Sequence, residues 1–210
     1  YAHIGTGNYH VKTARLYTDY GLFTCVPVIT RDVVNLFHHL TGYSTEPKFE
    51  RLLVAPLNML ERFIELIERE IGHHRAGRPA RIVAKMNQLE DTQLCRALVA
   101  ASQAGVPVDL IVRGFSSLRP GVPGWTENIR LRSIIGRFLE HSRIFYFANG
   151  SEDPLAGEYY IGSADLMQRN LDRRVECLAP VADPALTSRL DEILAVNLAE
   201  PQVFVHRDYH

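Results

Sequence analysis

From about residue 51 onward, short apolar runs alternate with helix-length amphipathic segments, and this alternation constrains the fold more than any other feature of the chain. Arg51 to Ala55 reads as a short strand. Leu57, Leu60, Phe63, Ile64, Ile67 and Ile71 then mark one face of a helix that Gly72 is placed to end. Ala80 to Ala84 reads as the next strand. A second helix starts near Asp91 and Thr92, turns Leu94, Leu98 and Val99 inward, and stops at Gly105 before Pro107. Val108 to Val112 is a largely apolar run of the kind shown by strands buried on both faces. Ile134 to Leu139 predicts a short helix, and Arg143 to Phe147 and Tyr159 to Ile161 predict strands. Leu186, Leu190, Ile193 and Leu194 predict a closing amphipathic helix. The expected class is α/β, with a mixed, largely parallel sheet flanked by helices.

Residues 1–46 have a different character. Two strand candidates and one short helix around Val33 to Leu40 offer too little apolar surface for a core of their own. Thr41 to Lys48, with its Gly, Ser, Thr and Pro, reads as a linker. The expected organisation is a tail fragment of one domain over 1–46 joined to a nearly complete second domain over 51–210. The chain opens on Tyr1 inside a strand-like run, which reads as a cut from a longer protein.

Bulk properties exclude several classes. No apolar run approaches the roughly 20 residues of a membrane helix, and no basic segment precedes an apolar one as in a secretory signal. Cys25, Cys95 and Cys177 lie far apart, with neither disulfide nor zinc spacing, so a reducing cytoplasm is expected, with membrane association left open. A net charge of -1 does not suggest a nucleic-acid partner, although Arg169, Arg173 and Arg174 make a local basic patch.

The chemistry lies in a self-similarity at an offset of 157 residues. Gly5-Thr6-Gly7-Asn8 matches Gly162-Ser163-Ala164-Asp165, and both follow strand-like runs. At the same offset Lys12 falls on Arg169 and Asp19 on Glu176. Small residues let backbone N–H groups approach an anion, a Ser or Thr hydroxyl adds a donor, and a cation neutralises charge. Two such halves face to face would cradle a phosphoryl group.

This pattern resembles the phospholipase D superfamily, whose halves each carry His-x-Lys, a later Asp and a Gly-Ser/Thr-x-Asn turn. Longer stretches resemble polyphosphate kinase: Tyr1-Ala2-His3-Ile4-Gly5-Thr6-Gly7-Asn8-Tyr9, Lys12-Thr13-Ala14-Arg15-Leu16-Tyr17-Thr18-Asp19, Val112-Arg113-Gly114, Leu139-Glu140-His141-Ser142-Arg143 and Met167-Gln168-Arg169-Asn170-Leu171-Asp172-Arg173-Arg174-Val175-Glu176. The resemblance implies a phospholipase D-like sheet with a partial second copy at the N-terminus. It implies reversible transfer of the terminal phosphate of ATP to inorganic polyphosphate through a phosphohistidine, with Mg²⁺. The phosphohistidine and the magnesium ligands of the family would precede Tyr1, so no metal ligand is assigned within the chain. The expected partners are ATP or ADP and polyphosphate, and the resemblance also implies a homo-oligomeric enzyme.

By the same resemblance Tyr17 and Arg113 contact nucleotide, His141 is the second-half histidine with a catalytic and phosphate-binding role, and Arg174 belongs to a basic phosphate channel. Gly5, Thr6, Gly7, Asn8, Gly162 and Ser163 form the cradle turns. Arg169 is expected to support the site from behind, and the role of Arg173 is left open. His10-Val11-Lys12 follows its turn instead of preceding it, and reads as a solvated loop. His141-Ser142-Arg143 replaces His-x-Lys and Asp165 replaces Asn, which counts against a two-headed phosphodiesterase. The competing readings are a phospholipase D-like phosphodiesterase and a non-catalytic domain that binds polyphosphate or mediates assembly.

Overall fold

The computed structural model describes residues 1–199. Its N-terminal part runs β1 (Ala2–Gly5), α1 (Val11–Ala14), β2 (Tyr17–Thr18), β3 (Gly21–Thr24) and α2 (Pro27–Leu40). There follow β4 (Leu53–Ala55), α3 (Met59–Arg75), β5 (Ile82–Met86), α4 (Thr92–Gln103), β6 (Val108–Val112), β7 (Ile129–Arg132) and β8 (Leu139–Glu140). The chain continues through β9 (Ile144–Phe147), β10 (Glu158–Gly162), α5 (Gln168–Arg173), β11 (Glu176–Val181) and α6 (Pro184–Ala199).

Seven strands form one mixed sheet in the order β4-β11-β10-β9-β5-β6-β7. Its interior strands β5, β6 and β9 are buried at every position because helices cover both faces. The two-residue period then divides their side chains. Ile82, Ala84, Met86, Phe145 and Phe147 join one core with α3 and α4, while Val83, Ile144 and Tyr146 join another against α6. α3 supplies Met59, Phe63, Leu66, Ile67 and Ile71, a stripe at helical spacing. α4 is capped by Asp91, whose side chain accepts from Leu94 N–H at 2.9 Å.

The expected sheet is mixed, and it is, but it is not largely parallel. β5–β6 and β6–β7 are parallel, whereas β4–β11, β11–β10, β10–β9 and β9–β5 are antiparallel. A parallel neighbour needs a long crossover, and the short helix expected over Ile134 to Leu139 does not form. That stretch is six residues with Gly136 in the middle, too short to hold a helix, and Ile135 and Phe138 stay exposed. Its end is drawn instead into β8, which pairs with β2.

Residues 1–46 pack onto this sheet. β1 and β3 make a two-stranded antiparallel ribbon, and Ile4 and Ile29 share a core with Leu52, Val54 and Ala179. Asp32 of α2 is buried, and its carboxylate accepts the N–H groups of Glu50, Arg51 and Leu52, at 2.7 Å for Arg51. This fixes α2 against the start of β4. Among the described residues no helix is long and apolar enough to cross a membrane.

Gly162, the last residue of β10, leaves no room for a side chain: a Cβ there would overlap the carbonyl of Cys177 on β11. Gly162→Ala is expected to lower stability by about 1–3 kcal/mol through forced separation of the two strands. A urea melt reads the change, and an unshifted midpoint would contradict this account of the strand pairing.

Candidate functional site: two turns tied together

The repeat read from the sequence is a repeat of structure. β1 pairs with β3 so that Gly5 faces Gly21, and β10 pairs with β11 so that Gly162 faces Leu178, the same register displaced by 157. The hydrogen bonds of the turns repeat as well. Thr6 N–H donates to Tyr20 O at 2.9 Å, and Ser163 N–H to Cys177 O at 3.0 Å. The Thr6 hydroxyl donates to Asp19 at 2.7 Å and accepts from Tyr20 N–H. The Ser163 hydroxyl donates to Glu176 and accepts from Cys177 N–H.

Here the structure departs from the expectation that these hydroxyls face an anion. Thr6 is buried, and both hydroxyls are spent on holding a carboxylate beside the turn. The N–H groups of Gly7, Asn8, Ala164 and Asp165 have no partner among the described residues, again at equivalent positions. Gly7 also lies against Asp19 so closely that a Cβ would overlap the carboxylate.

The two halves are bound together by residues that cross between them. Arg143 is buried and uses its whole guanidinium: Nη2 and Nε donate to Asp165 at 2.9 and 3.3 Å, and Nη1 donates to the Thr6 carbonyl at 2.8 Å. It thus clamps the second turn to the first. His141 reaches Asp19 through Nδ1 at 3.0 Å, and the Tyr17 ring lies 4.7 Å from the imidazole. β2 and β8 support this contact by pairing Tyr17 with Leu139 and Thr18 with Glu140, and His141 N–H continues the ladder to Thr18 O. Burial alone would raise the Asp19 carboxyl. Hydrogen bonds from His141 and Thr6, with the charges of His141 and Arg143, outweigh it and hold the group below its ordinary value.

A third set of contacts comes from the end of β5. Lys85 is buried, and its ammonium meets Glu140 at 2.9 Å and the Ser142 hydroxyl. Burial lowers the Lys85 pKa, and the Glu140 carboxylate opposes that shift. Asn87, also buried, binds Asp165 through its backbone N–H at 2.7 Å and accepts from Arg113 Nε at 2.8 Å. Its amide also donates to the His141 carbonyl at 3.3 Å. Arg113, just past β6, is thereby joined to His141 and the second turn.

Tyr17, Arg113 and His141 are therefore brought together, as are the two turns. Arg174 is not joined to them by any hydrogen bond or ion pair among the described residues. It is largely exposed and lies 4.0 Å from Glu176, beside the Ser163 turn. Arg169 and Arg173 are exposed on α5. Asn8 is exposed and accepts from the Thr13 hydroxyl at 3.3 Å. Sequence reasoning missed Lys85, Asn87 and the clamping role of Arg143. A lysine inside an otherwise apolar strand, Ile82-Val83-Ala84-Lys85-Met86, was the one available signal.

The chain is similar to known proteins over most of its length. In the cyanobacterium Synechocystis sp. a polyphosphate kinase is 60% identical to the chain over 200 residues, 95% of the chain but 27% of the relative. The crystal structure of polyphosphate kinase from Porphyromonas gingivalis superposes with a TM-score of 0.87 at 44% identity, covering 93% of the chain and 30% of that protein. NucT from Helicobacter pylori shares the fold at a TM-score of 0.53 and 12% identity, over 73% of the chain and 97% of its own. The chain spans just over a quarter of the length of the curated relative it matches. The model of polyphosphate kinase C-terminal domain 1 matches residues 1–46, and that of polyphosphate kinase C-terminal domain 2 matches residues 52–207. With family models and relatives that match it through nearly its whole length, the chain belongs to the polyphosphate kinase family.

Proposed function

We propose that this chain forms one wall of the site at which a polyphosphate kinase moves the terminal phosphate of ATP to and from inorganic polyphosphate. The observation that carries the reading is that Arg113 and His141 lie on one hydrogen-bond network with both turns, with the Tyr17 ring packed 4.7 Å from the His141 imidazole. Phosphoryl transfer asks chiefly for positioning and charge neutralisation. The fork of Arg113 suits a phosphate group, and the backbone N–H groups of Gly7, Asn8, Ala164 and Asp165 line the cradle. Tyr17 offers a ring face to the nucleotide. His141, held through Nδ1 by Asp19 and with Arg143 Nη1 3.1 Å from its Nε2, would meet a phosphoryl oxygen as a hydrogen-bond or proton donor alongside that guanidinium. Arg174, exposed beside the second turn, meets the polymer farther from the reacting centre.

The intermediate in this reading is a phosphohistidine, supplied by a histidine that the family pattern puts ahead of Tyr1. It divides transfer into two half-reactions that use one cleft in turn. Mg²⁺ would neutralise phosphate charge, but the residues present do not fit it. Among the described residues no cluster of three or more His, Cys, Asp or Glu forms, and Asp19 and Asp165 are already held by His141 and Arg143. A cytoplasmic, homo-oligomeric enzyme with no nucleic-acid partner rests on the family resemblance and the sequence composition.

Calorimetric titration of the chain with ADP, ATP and short-chain polyphosphate tests the proposal. Saturable binding is expected, weakening as salt rises. Arg113→Ala should weaken nucleotide binding about tenfold or more, the scale of a lost charge-assisted hydrogen bond. Absence of saturable binding, or an unchanged affinity in a folded Arg113→Ala chain, overturns it.

A further inference from the structure

We infer that Asn87 is a positioning residue that aims Arg113 at phosphate without neutralising it, an inference that rests on the site reading above. The second half usually meets an arginine with a carboxylate. Arg143 takes Asp165 at 2.9 Å, Arg81 takes Asp109 at 2.8 Å and Arg69 takes Glu158 at 3.0 Å. Arg113 is given an amide oxygen instead, 2.8 Å from its Nε. Its two Nη groups have no hydrogen bond or ion pair among the described residues.

The chemistry follows from that choice of partner. A guanidinium bonded through Nε alone keeps both Nη groups as a parallel pair, the arrangement that matches two oxygens of a phosphate. A carboxylate in the place of Asn87 would hold the same edge but cancel the charge. An amide holds the edge and leaves the charge for the ligand. Asn87 can do this rigidly because it is itself fixed on three sides. Its N–H binds Asp165 at 2.7 Å, and its amide nitrogen reaches both Asp165 and the His141 carbonyl at 3.3 Å. At 4% exposure it has almost no freedom to turn. The direction in which Arg113 points is thus set by the same side chain that ties down the backbone of His141.

The test compares ADP binding by the chain and its Asn87→Asp, Asn87→Ala and Arg113→Ala variants, with folding checked by thermal melts. Asn87→Asp keeps the shape and the acceptor, and is expected to weaken ADP binding about tenfold at pH 8 by pairing with Arg113. The new carboxyl lies beside Asp165, which raises its pKa. The gap from wild type should therefore narrow as the pH falls to about 5. Asn87→Ala should weaken binding too, and by a smaller factor in the Arg113→Ala background than in wild type, because both changes act on one guanidinium. A residue that merely braced the strand would give neither the pH-reversible loss nor the coupling. Equal penalties in the two backgrounds, or a folded Asn87→Asp chain that binds as wild type does, overturn the role of Asn87 alone. A wild-type chain that binds neither ADP nor polyphosphate overturns the site reading and this inference with it. If Asn87→Ala does not fold, the pH-dependent gap of Asn87→Asp decides the matter.

Discussion

Arg143→Met is expected to destabilise the chain by about 3–5 kcal/mol, because it leaves a carboxylate stranded in the interior. Asp165 has little contact with solvent, and Arg143 is the one cation paired with it among the described residues. The substitution also removes the donor that the Thr6 carbonyl uses, so the first turn loses its tie to the second. Most of the side-chain volume is kept, so the effect reports charge and hydrogen bonding more than a cavity. Arg189→Met is the natural control: its pair with Glu192 is exposed on both sides, and pairs of that kind are worth about 0–1 kcal/mol. Urea denaturation of both variants at pH 7 checks the difference. A loss for Arg143→Met as small as that for Arg189→Met would mean that Asp165 is satisfied without it.

His141→Ala is expected to cost about 10²–10⁴-fold in phosphate transfer, the range typical of a positioned proton donor. The measurement belongs in a catalytically competent polyphosphate kinase that contains this sequence, followed as synthesis and as breakdown of the polymer. Both directions should fall together, since they pass through the same transition state. Stability should change little. The imidazole stands between β8 and β9 and fills no part of the apolar cores, and Asp19 keeps its bond from Thr6 when the ring is gone. Retained transfer in a folded His141→Ala enzyme would remove His141 from the chemistry and leave Arg113 as the principal group.

The parts legible in the sequence were those with local signals. α3 and α4 follow from apolar spacing and an Asp cap, and β6 from a run bounded by turn residues. β7 was missed although Ile129-Arg130-Leu131-Arg132 alternates as a strand does, because the run is only four residues long and lies on an outermost strand with one neighbour. The paired turns were legible because duplication copied both their composition and their spacing. What those residues do was less so. Thr6 and Ser163 look like anion donors until their carboxylate partners are seen, 13 residues farther along in each case. Asn87 meets Asp165 across 78 residues of chain and Arg143 meets Thr6 across 137, and nothing local marks such pairs.

Those separations bear on the order in which the molecule assembles. The brace from Thr6 to Asp19 closes a loop of 13 residues, and the clamp from Arg143 to Thr6 closes one of 137. Loop-closure entropy grows by only about 0.6 kcal/mol per doubling, so a roughly tenfold longer loop costs about 2 kcal/mol more. That is less than the buried Arg143–Asp165 pair is worth keeping intact, and the long loop is no obstacle to stability. Its effect is on time. Contacts so remote in the chain form after the local ones that build the helices and the short β9–β10 connection. Each turn is thus expected to be shaped by its own brace first, while the N-terminal part gains its core, and the two turns their tie, only on docking against the sheet.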